Sequence, residues 1–349
     1  MMMKLDMRKA YYLVEWEFLI SLLRAYGFSE VWCGRVRSCI STVKFRLLFN
    51  GEPSAEFQPS KGIRQGDPLS PLLFILMSNA LSFLIKKAPQ RHVIKGLKLN
   101  RSCPSLTHCL FADDTIIFGE ASVSEEEKIL SILNDYGSIT GQEVNREKSS
   151  MFFSYNVPID EQEGIVQTSG FAASICHSKY LGVPTEWGRS KKETFQFLLH
   201  RMETRGESWK SLLLSPGGKE VLLKVVFQAI PSFIKCLFLL PRSTMEKMDA
   251  MLKNFFWGGS LSKKTIHWRA GHDSLCPERG GRPWLPTFPY LQFSTAGQTG
   301  MESNHKLDAL WVKVLKSIYF PHSDFLNAKK GGKASWIWVS LWEAKKRMK

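Results

Sequence analysis

One octapeptide, Phe111-Ala112-Asp113-Asp114-Thr115-Ile116-Ile117-Phe118, constrains this chain more than any other stretch. Two adjacent carboxylates stand between an apolar approach (Cys109, Leu110, Phe111, Ala112) and an apolar exit (Ile116, Ile117, Phe118). The pattern predicts two short strands with the acids at or beside the turn. Two uncompensated negative charges against apolar strands are costly, so a cation is their natural partner. Hard divalent ions such as Mg²⁺ take carboxylate oxygens together with substrate phosphates. An Asp-Asp pair serves equally as a solvated turn, where aspartate is common for backbone reasons. The octapeptide alone leaves both readings open.

Bulk properties narrow the field. A chain of 349 residues can bury a real core, and its length predicts two or three domains. Its 44% hydrophobic and 23% charged residues fit a globular protein. No run approaches the roughly 18 uninterrupted apolar residues of a membrane helix, so no membrane partner is expected. The start, Met1 to Asp6, lacks the apolar core of a signal peptide. Seven scattered cysteines, odd in number and without close pairing, predict reduced thiols inside the cell. A net charge of +15 suits a polyanion, of which nucleic acid is the usual one.

Periodicity places the elements. A short strand-like entry at Asp6 passes into a helical pattern around Tyr12–Tyr26, with Gly27 as a C-cap. Ile40–Phe49 and Ala55–Phe57 flank Asn50-Gly51, a strong hairpin dipeptide. A glycine-containing loop over Pro59–Pro68 feeds a long apolar helix, Leu69–Lys87, opened by Ser70-Pro71. After the Asp-Asp hairpin, Ser122–Gly141 is an amphipathic helix with Glu125, Glu126 and Glu127 in its first turn. Strand-like Ser150–Tyr155 and Lys179–Pro184 close an α+β unit near residue 186. Residues 191–256 read as helical and basic, with breaks at Pro216-Gly217-Gly218 and Pro231.

The order is an acid after the first strand (Asp6), the loop Lys61–Pro71, the Asp-Asp hairpin, a lysine loop (Gly141–Ser149), then Tyr180-Leu181-Gly182-Val183-Pro184. This series resembles the palm of reverse transcriptases, specifically those of plant LINE-type (non-LTR) retrotransposons. Arg64–Pro71 and Phe111–Asp114 carry the resemblance, which covers about residues 4–281 and resumes at Lys306–Leu341. It implies RNA-directed DNA polymerisation with Mg²⁺ (or Mn²⁺) on an RNA template, with a DNA primer and dNTPs, in the nucleus. Asp6 and Asp113 resemble the carboxylates that hold two metal ions, with Asp114 the second member of the hairpin pair. Tyr11 aligns with the aromatic gate that excludes a ribose 2′-hydroxyl. Gln65 and Gly66 resemble the loop lying against template–primer and nucleotide, with Arg64 able to meet phosphate. Lys148 resembles the lysine that neutralises departing pyrophosphate. Basic residues of the helical segment, such as Lys210, Lys219 and Lys224, are candidate phosphate contacts.

The fold expected is α+β: a palm-like antiparallel sheet with packed helices over 1–186, then an α-helical thumb-like domain over 187–260. A poorly defined region over 261–349 follows, in which 282–305 has the composition of an out-of-register reading. A helical pattern resumes there from Lys306 to Tyr319 before Phe320-Pro321 breaks it. The sequence departs from the family by starting at the first acidic motif, without fingers or an upstream endonuclease, and by carrying Tyr12 where an aspartate is usual. On this reading the chain is truncated. Asp6, close to the N-terminus with little strand to hold it, is expected to fray. Synthesis would then be weak or absent, and a remnant binding nucleic acid by charge, or one without function, is the alternative.

Overall fold

The computed structural model describes residues 1–90, 94–173, 179–184, 190–210, 214–257, 306–332 and 334–348. Two compact units emerge, Met1–Cys176 and His177–Lys349. The division falls short of the boundary expected at 186, because the Lys179–Pro184 hairpin groups with the second unit.

The first unit is mixed α/β. Its elements are β1 (Met2–Leu5), α1 (Trp16–Ala25), α2 (Glu30–Ser41), β2 (Leu48–Phe49), β3 (Glu52–Pro53), α3 (Ser70–Gln90), β4 (His108–Phe111), β5 (Asp114–Phe118), α4 (Val123–Thr140), β6 (Ser150–Phe152), α5 (Ile159–Ser169) and β7 (Ala172–Ala173). The main sheet runs β4-β5-β1-β6-β7, antiparallel except for the parallel β6–β7 pair. Side chains alternate across it. Met3, Leu5, Ile117 and Met151 are fully buried on the helix side. Lys4 and its partner Ile116 point the other way, and the register of Leu5 with Thr115, continued one step, sets Asp6 opposite Asp114.

The helices cover the buried side through matching stripes. Leu73, Phe74, Met77, Leu81 and Ile85 recur at helical spacing along α3 and join Leu19, Ile20 and Leu23 of α1 and Ile129 and Leu133 of α4 in one core. Each such side chain contributes about 1.5–3 kcal/mol on burial. Over Ser70–Ala88, α3 is long and apolar enough to cross a membrane by length and composition, although no uninterrupted apolar run exists in the sequence. Its core-facing stripe supplies part of that apolarity, while Leu72, Ile75 and Phe83 are exposed. At α4, the Ser122 side chain accepts from the Glu125 N–H, and Gly141 closes the helix in the left-handed region, as the sequence pattern predicts.

Around Asn50-Gly51 the hairpin is shorter than expected: Ile40 lies in α2, the paired strands are only β2 and β3, and Phe45 and Phe57 meet as an isolated bridge. Two further expectations need correction. Helix α1 begins at Trp16, not near Tyr12, because residues 8–13 form tight turns. The carbonyls of Tyr11 and Val14 accept from the Ile63 and Gly62 N–H groups, so they serve the Pro59–Pro68 loop instead of a helix ladder. The second correction concerns Asp6. Strand β1 is the central strand, paired on both sides by β5 and β6. The Asp6 N–H donates to Ser149 Oγ at 3.1 Å and its carbonyl accepts from Asn145 N–H at 2.8 Å. Asp6 is anchored.

The second unit is helical. A β8 (Lys179–Tyr180) and β9 (Val183–Pro184) hairpin precedes α6 (Lys191–Thr194), α7 (Gln196–Lys210), α8 (Pro216–Leu222), a π-helical segment over Leu223–Phe227, α9 (Ser232–Leu237) and α10 (Arg242–Phe256). Pro216 opens α8 instead of breaking the chain: its missing N–H is no loss at a first helical position, and Ser215 Oγ accepts from Gly218 N–H. Phe195, Met202, Phe227 and Met248 lie at the centre of this core. Lys219 donates to the Phe256 carbonyl and Lys224 pairs with Glu220, so both expected phosphate contacts are engaged within the unit. The side chain of Lys210 and residues 282–305 lie outside the described residues.

The helical pattern expected from Lys306 to Tyr319 is present as α11 (Leu310–Tyr319), and α12 (Trp336–Met348) forms with it around an aromatic nucleus. Trp338 is fully buried and stacks on Tyr319 at 4.8 Å between ring centres, with Phe320 and Phe325 around it.

Candidate active site

The Asp-Asp hairpin takes the tight form its sequence predicts. Phe111 pairs with Asp114, leaving Ala112 and Asp113 as the turn. Ala112 sits at φ 52, a left-handed conformation that costs an L-residue about 1 kcal/mol. The turn projects Asp113 to the surface while Asp114 stays half-buried at the head of β5. Asp113 and Asp6 line one open cleft of about 570 Å³, together with Tyr11, Gln65 and Lys148. Three separate chain segments and the loop before α3 therefore deliver five of the sequence candidates to one place.

Their supports are specific. The Tyr11 ring stacks on Phe74 of α3, 4.9 Å apart and 9° from parallel, which fixes it against the cleft wall. Burial, then the nearby Asp113 charge, raises its phenol pKa. Burial raises the Asp114 carboxyl first, Asp113 and Asp6 push the same way, and Lys4 opposes them. The Asp113 and Asp6 charges thus disfavour ionised Asp114, a condition a bound cation relieves. The donors are carboxylate oxygens, without histidine or thiolate. Among the described residues no closed cluster of three or more ligating side chains exists. Two acids on an open cleft suit a hard ion such as Mg²⁺, which completes its shell with water and substrate phosphate. The residues fit that ion.

The loop before α3 divides its duties. Gln65 lines both the acidic cleft and a neighbouring cavity of about 350 Å³. Arg64 belongs to the second cavity, where it pairs with Asp67 at 2.9 Å. The Leu69 N–H bond, with Arg64 adding, holds the Asp67 carboxyl below its usual range. Gly66 is exposed at φ +86 with open space around it and lines neither cavity. Gly62 sets the loop's path: φ is +91, and a Cβ there would stand 2.6 Å from the Tyr12 carbonyl oxygen. Trp16 Nε1 donates to the Gly62 carbonyl at 2.6 Å, pinning the same peptide. Gly62→Ala is expected to cost about 2–4 kcal/mol through combined strain and clash, measurable by urea unfolding.

Sequence reasoning passed over Asn145 and Ser149. Asn145 lines the cleft, and its backbone N–H holds the Asp6 carbonyl. Ser149 Oγ accepts from Asp6 N–H and donates to the Asn145 carbonyl at 2.6 Å. Both flank Lys148 in a polar stretch behind the Gly141 cap, a signal that pointed to the segment but not to its clasp on β1. Arg8 and Lys9 also face the cleft, supplying cations directly after Asp6.

Comparisons with known proteins identify a family. The family model described as "Reverse transcriptase (RNA-dependent DNA polymerase)" matches residues 1–201. An uncharacterized mitochondrial protein of Arabidopsis thaliana, AtMg01250, is 48% identical over 73 residues, 20% of this chain and 60% of that protein. The transposon TX1 149 kDa protein of Xenopus laevis is 26% identical over 289 residues, 80% of this chain and 21% of that protein. The Pol polyprotein of the type-2 retrotransposable element R2DM of Drosophila melanogaster is 31% identical over 144 residues, 41% of this chain and 13% of that protein. The chain thus spans a minor part of both element-encoded relatives. With more than half of its length matched by the family model, the chain belongs to the reverse transcriptase (RNA-dependent DNA polymerase) family.

Proposed function

We propose that this chain carries out RNA-directed DNA synthesis as the reverse transcriptase of a plant LINE-type, non-LTR retrotransposon, on an RNA template with a DNA primer and dNTPs. The observation that supports this most is the shared cleft of Asp6, Asp113, Tyr11, Gln65 and Lys148. Reverse transcriptases work with divalent metal ions, and here Asp6, Asp113 and Asp114 would hold Mg²⁺ or Mn²⁺. Bound divalent ions supply activation of the primer 3′-hydroxyl and neutralisation of charge on pyrophosphate. The protein's own part is positioning and electrostatics. Lys148, exposed at the cleft edge, meets the charge of the leaving group. Gln65 orients the nucleotide–template pair, and Tyr11 walls off the sugar 2′ position.

Primer extension on an RNA template tests this reading: Mg²⁺-dependent synthesis that fails in Asp113→Asn supports it, and equal background in both overturns it. The gate has its own test. Tyr11→Ala is expected to raise ribonucleotide incorporation by about tenfold or more, the scale of emptying one contact in a shaped pocket. Competition of rNTPs against dNTPs measures this, and an unchanged ratio would remove Tyr11 from the gate.

A further inference from the structure

We propose that Trp342 and the lysines around it form a docking site for single-stranded nucleic acid in the second unit, outside the span matched by the polymerase family. The inference rests on the nucleic-acid partner of the proposed function and adds a contact surface to it. Trp342 is half-buried at the edge of the aromatic nucleus of α11 and α12. The Lys330 ammonium lies 5.8 Å from its ring centre and the Lys346 ammonium 6.0 Å. Lys329, Lys330 and Lys346 are all exposed. Among the described residues none of the three has a carboxylate partner, whereas Lys61, Lys95, Lys224 and Lys313 each do.

The segment carrying these cations is held rigidly. Buried Lys345 donates to the carbonyls of Phe325 (3.3 Å) and Ala328 (2.6 Å), closing the turn before Lys329. Trp338 Nε1 donates to the Lys330 carbonyl at 3.0 Å. The indole is likewise placed by α12, so the aromatic face and the backbone that carries the amines are organised before any ligand arrives. Unpaired ammonium groups beside an indole match a single strand: phosphates take the amines, and a base stacks on the ring in place of one amine. An acidic peptide would use the amines but has no planar group for the indole.

The test uses the full chain and a fluorescein-labelled oligouridine of about 15 nucleotides, followed by anisotropy over a salt series. Each phosphate contact on a single strand contributes about 0.7 to the slope of log affinity against log salt. Lys330→Gln with Lys346→Gln is therefore expected to lower the slope by about 1.4. Trp342→Ala is expected to weaken binding about tenfold, while Trp342→Phe, which keeps a stacking face, retains most of it. Circular dichroism confirms that each variant is folded, and the exposed lysine pair answers the question if Trp342→Ala is not. Slope and affinity unchanged in the lysine pair would overturn the proposal. So would polyglutamate competing as well as unlabelled oligouridine at equal charge. Asp113→Asn should bind the oligonucleotide as wild type does, so a failure of polymerase activity and a failure of this site are read separately.

Discussion

Asp113→Asn is expected to reduce primer extension on an RNA template by about 100-fold or more while leaving template–primer affinity within about twofold. The two measurements separate because their physical origins do. Affinity comes from phosphate contacts spread over a chain of net charge +15, to which one acid at a turn contributes little. Chemistry requires the primer 3′-hydroxyl and the nucleotide phosphates held near attack distance, and loss of one ligand oxygen shifts that geometry. Asp113 lies at an exposed hairpin turn and lines the cleft without supporting the core, so the folded state should survive. Its removal also lessens the repulsion that raises Asp114, and the melting temperature should hold or rise. Loss of synthesis with intact or higher stability identifies a functional acid. A parallel fall in stability and synthesis would instead assign Asp113 a structural role. Asp6→Asn is expected to act through the same cleft, and the double variant should lose little more than either alone.

Glu126→Gln is expected to stabilise the first unit by about 2–3 kcal/mol at pH 8 and by little at pH 4. Glu126 is fully buried in the first turns of α4, and among the described residues neither carboxylate oxygen has a hydrogen-bond partner. Burial, with Glu127 adding and Arg146 opposing, pushes its carboxyl from 4.5 up to about 7. The sign follows from linkage: the unfolded chain gives up this proton near pH 4.5, whereas the folded chain keeps it until about pH 7. Below pH 4.5 the group imposes no charge penalty. Between the two values the penalty grows, and above pH 7 it is complete. Glutamine carries no charge at any pH, so the difference between variant and wild type should open across that window. Urea unfolding at pH 4, 6 and 8 reads it out, and a difference independent of pH would refute the buried-charge explanation. The favourable position of acids at a helix N-terminus predicts the opposite sign from sequence alone. Burial outweighs the dipole here because an unpartnered charge loses several kcal/mol of hydration against about 0.3–1 kcal/mol gained.

What the sequence by itself determined were the features set by neighbours a few residues apart. The Asp-Asp hairpin, the Asn50-Gly51 turn, the Ser122 cap and Gly141 stop of α4, and the apolar stripe of α3 all depend on local backbone preference and short-period burial, and each is present. The acids and the loop glycines were legible for the same reason: their chemistry narrows what may stand beside them. The tertiary structure decided whatever required distant segments to meet. The anchoring of Asp6 depends on β5, β6, Asn145 and Ser149, all more than a hundred residues away, so a terminal strand that looked free is the most enclosed one in the sheet. The late start of α1 depends on a loop fifty residues on that takes its carbonyls. Arg64 turned to Asp67 and a second cavity because a nearby carboxylate offered it a partner at 2.9 Å. Glu126 reversed its expected contribution because the face it occupies is closed by packing that helical periodicity does not reveal. Hydrogen bonds and burial across the fold are properties of pairs of surfaces, and one segment's sequence specifies only its own half of each.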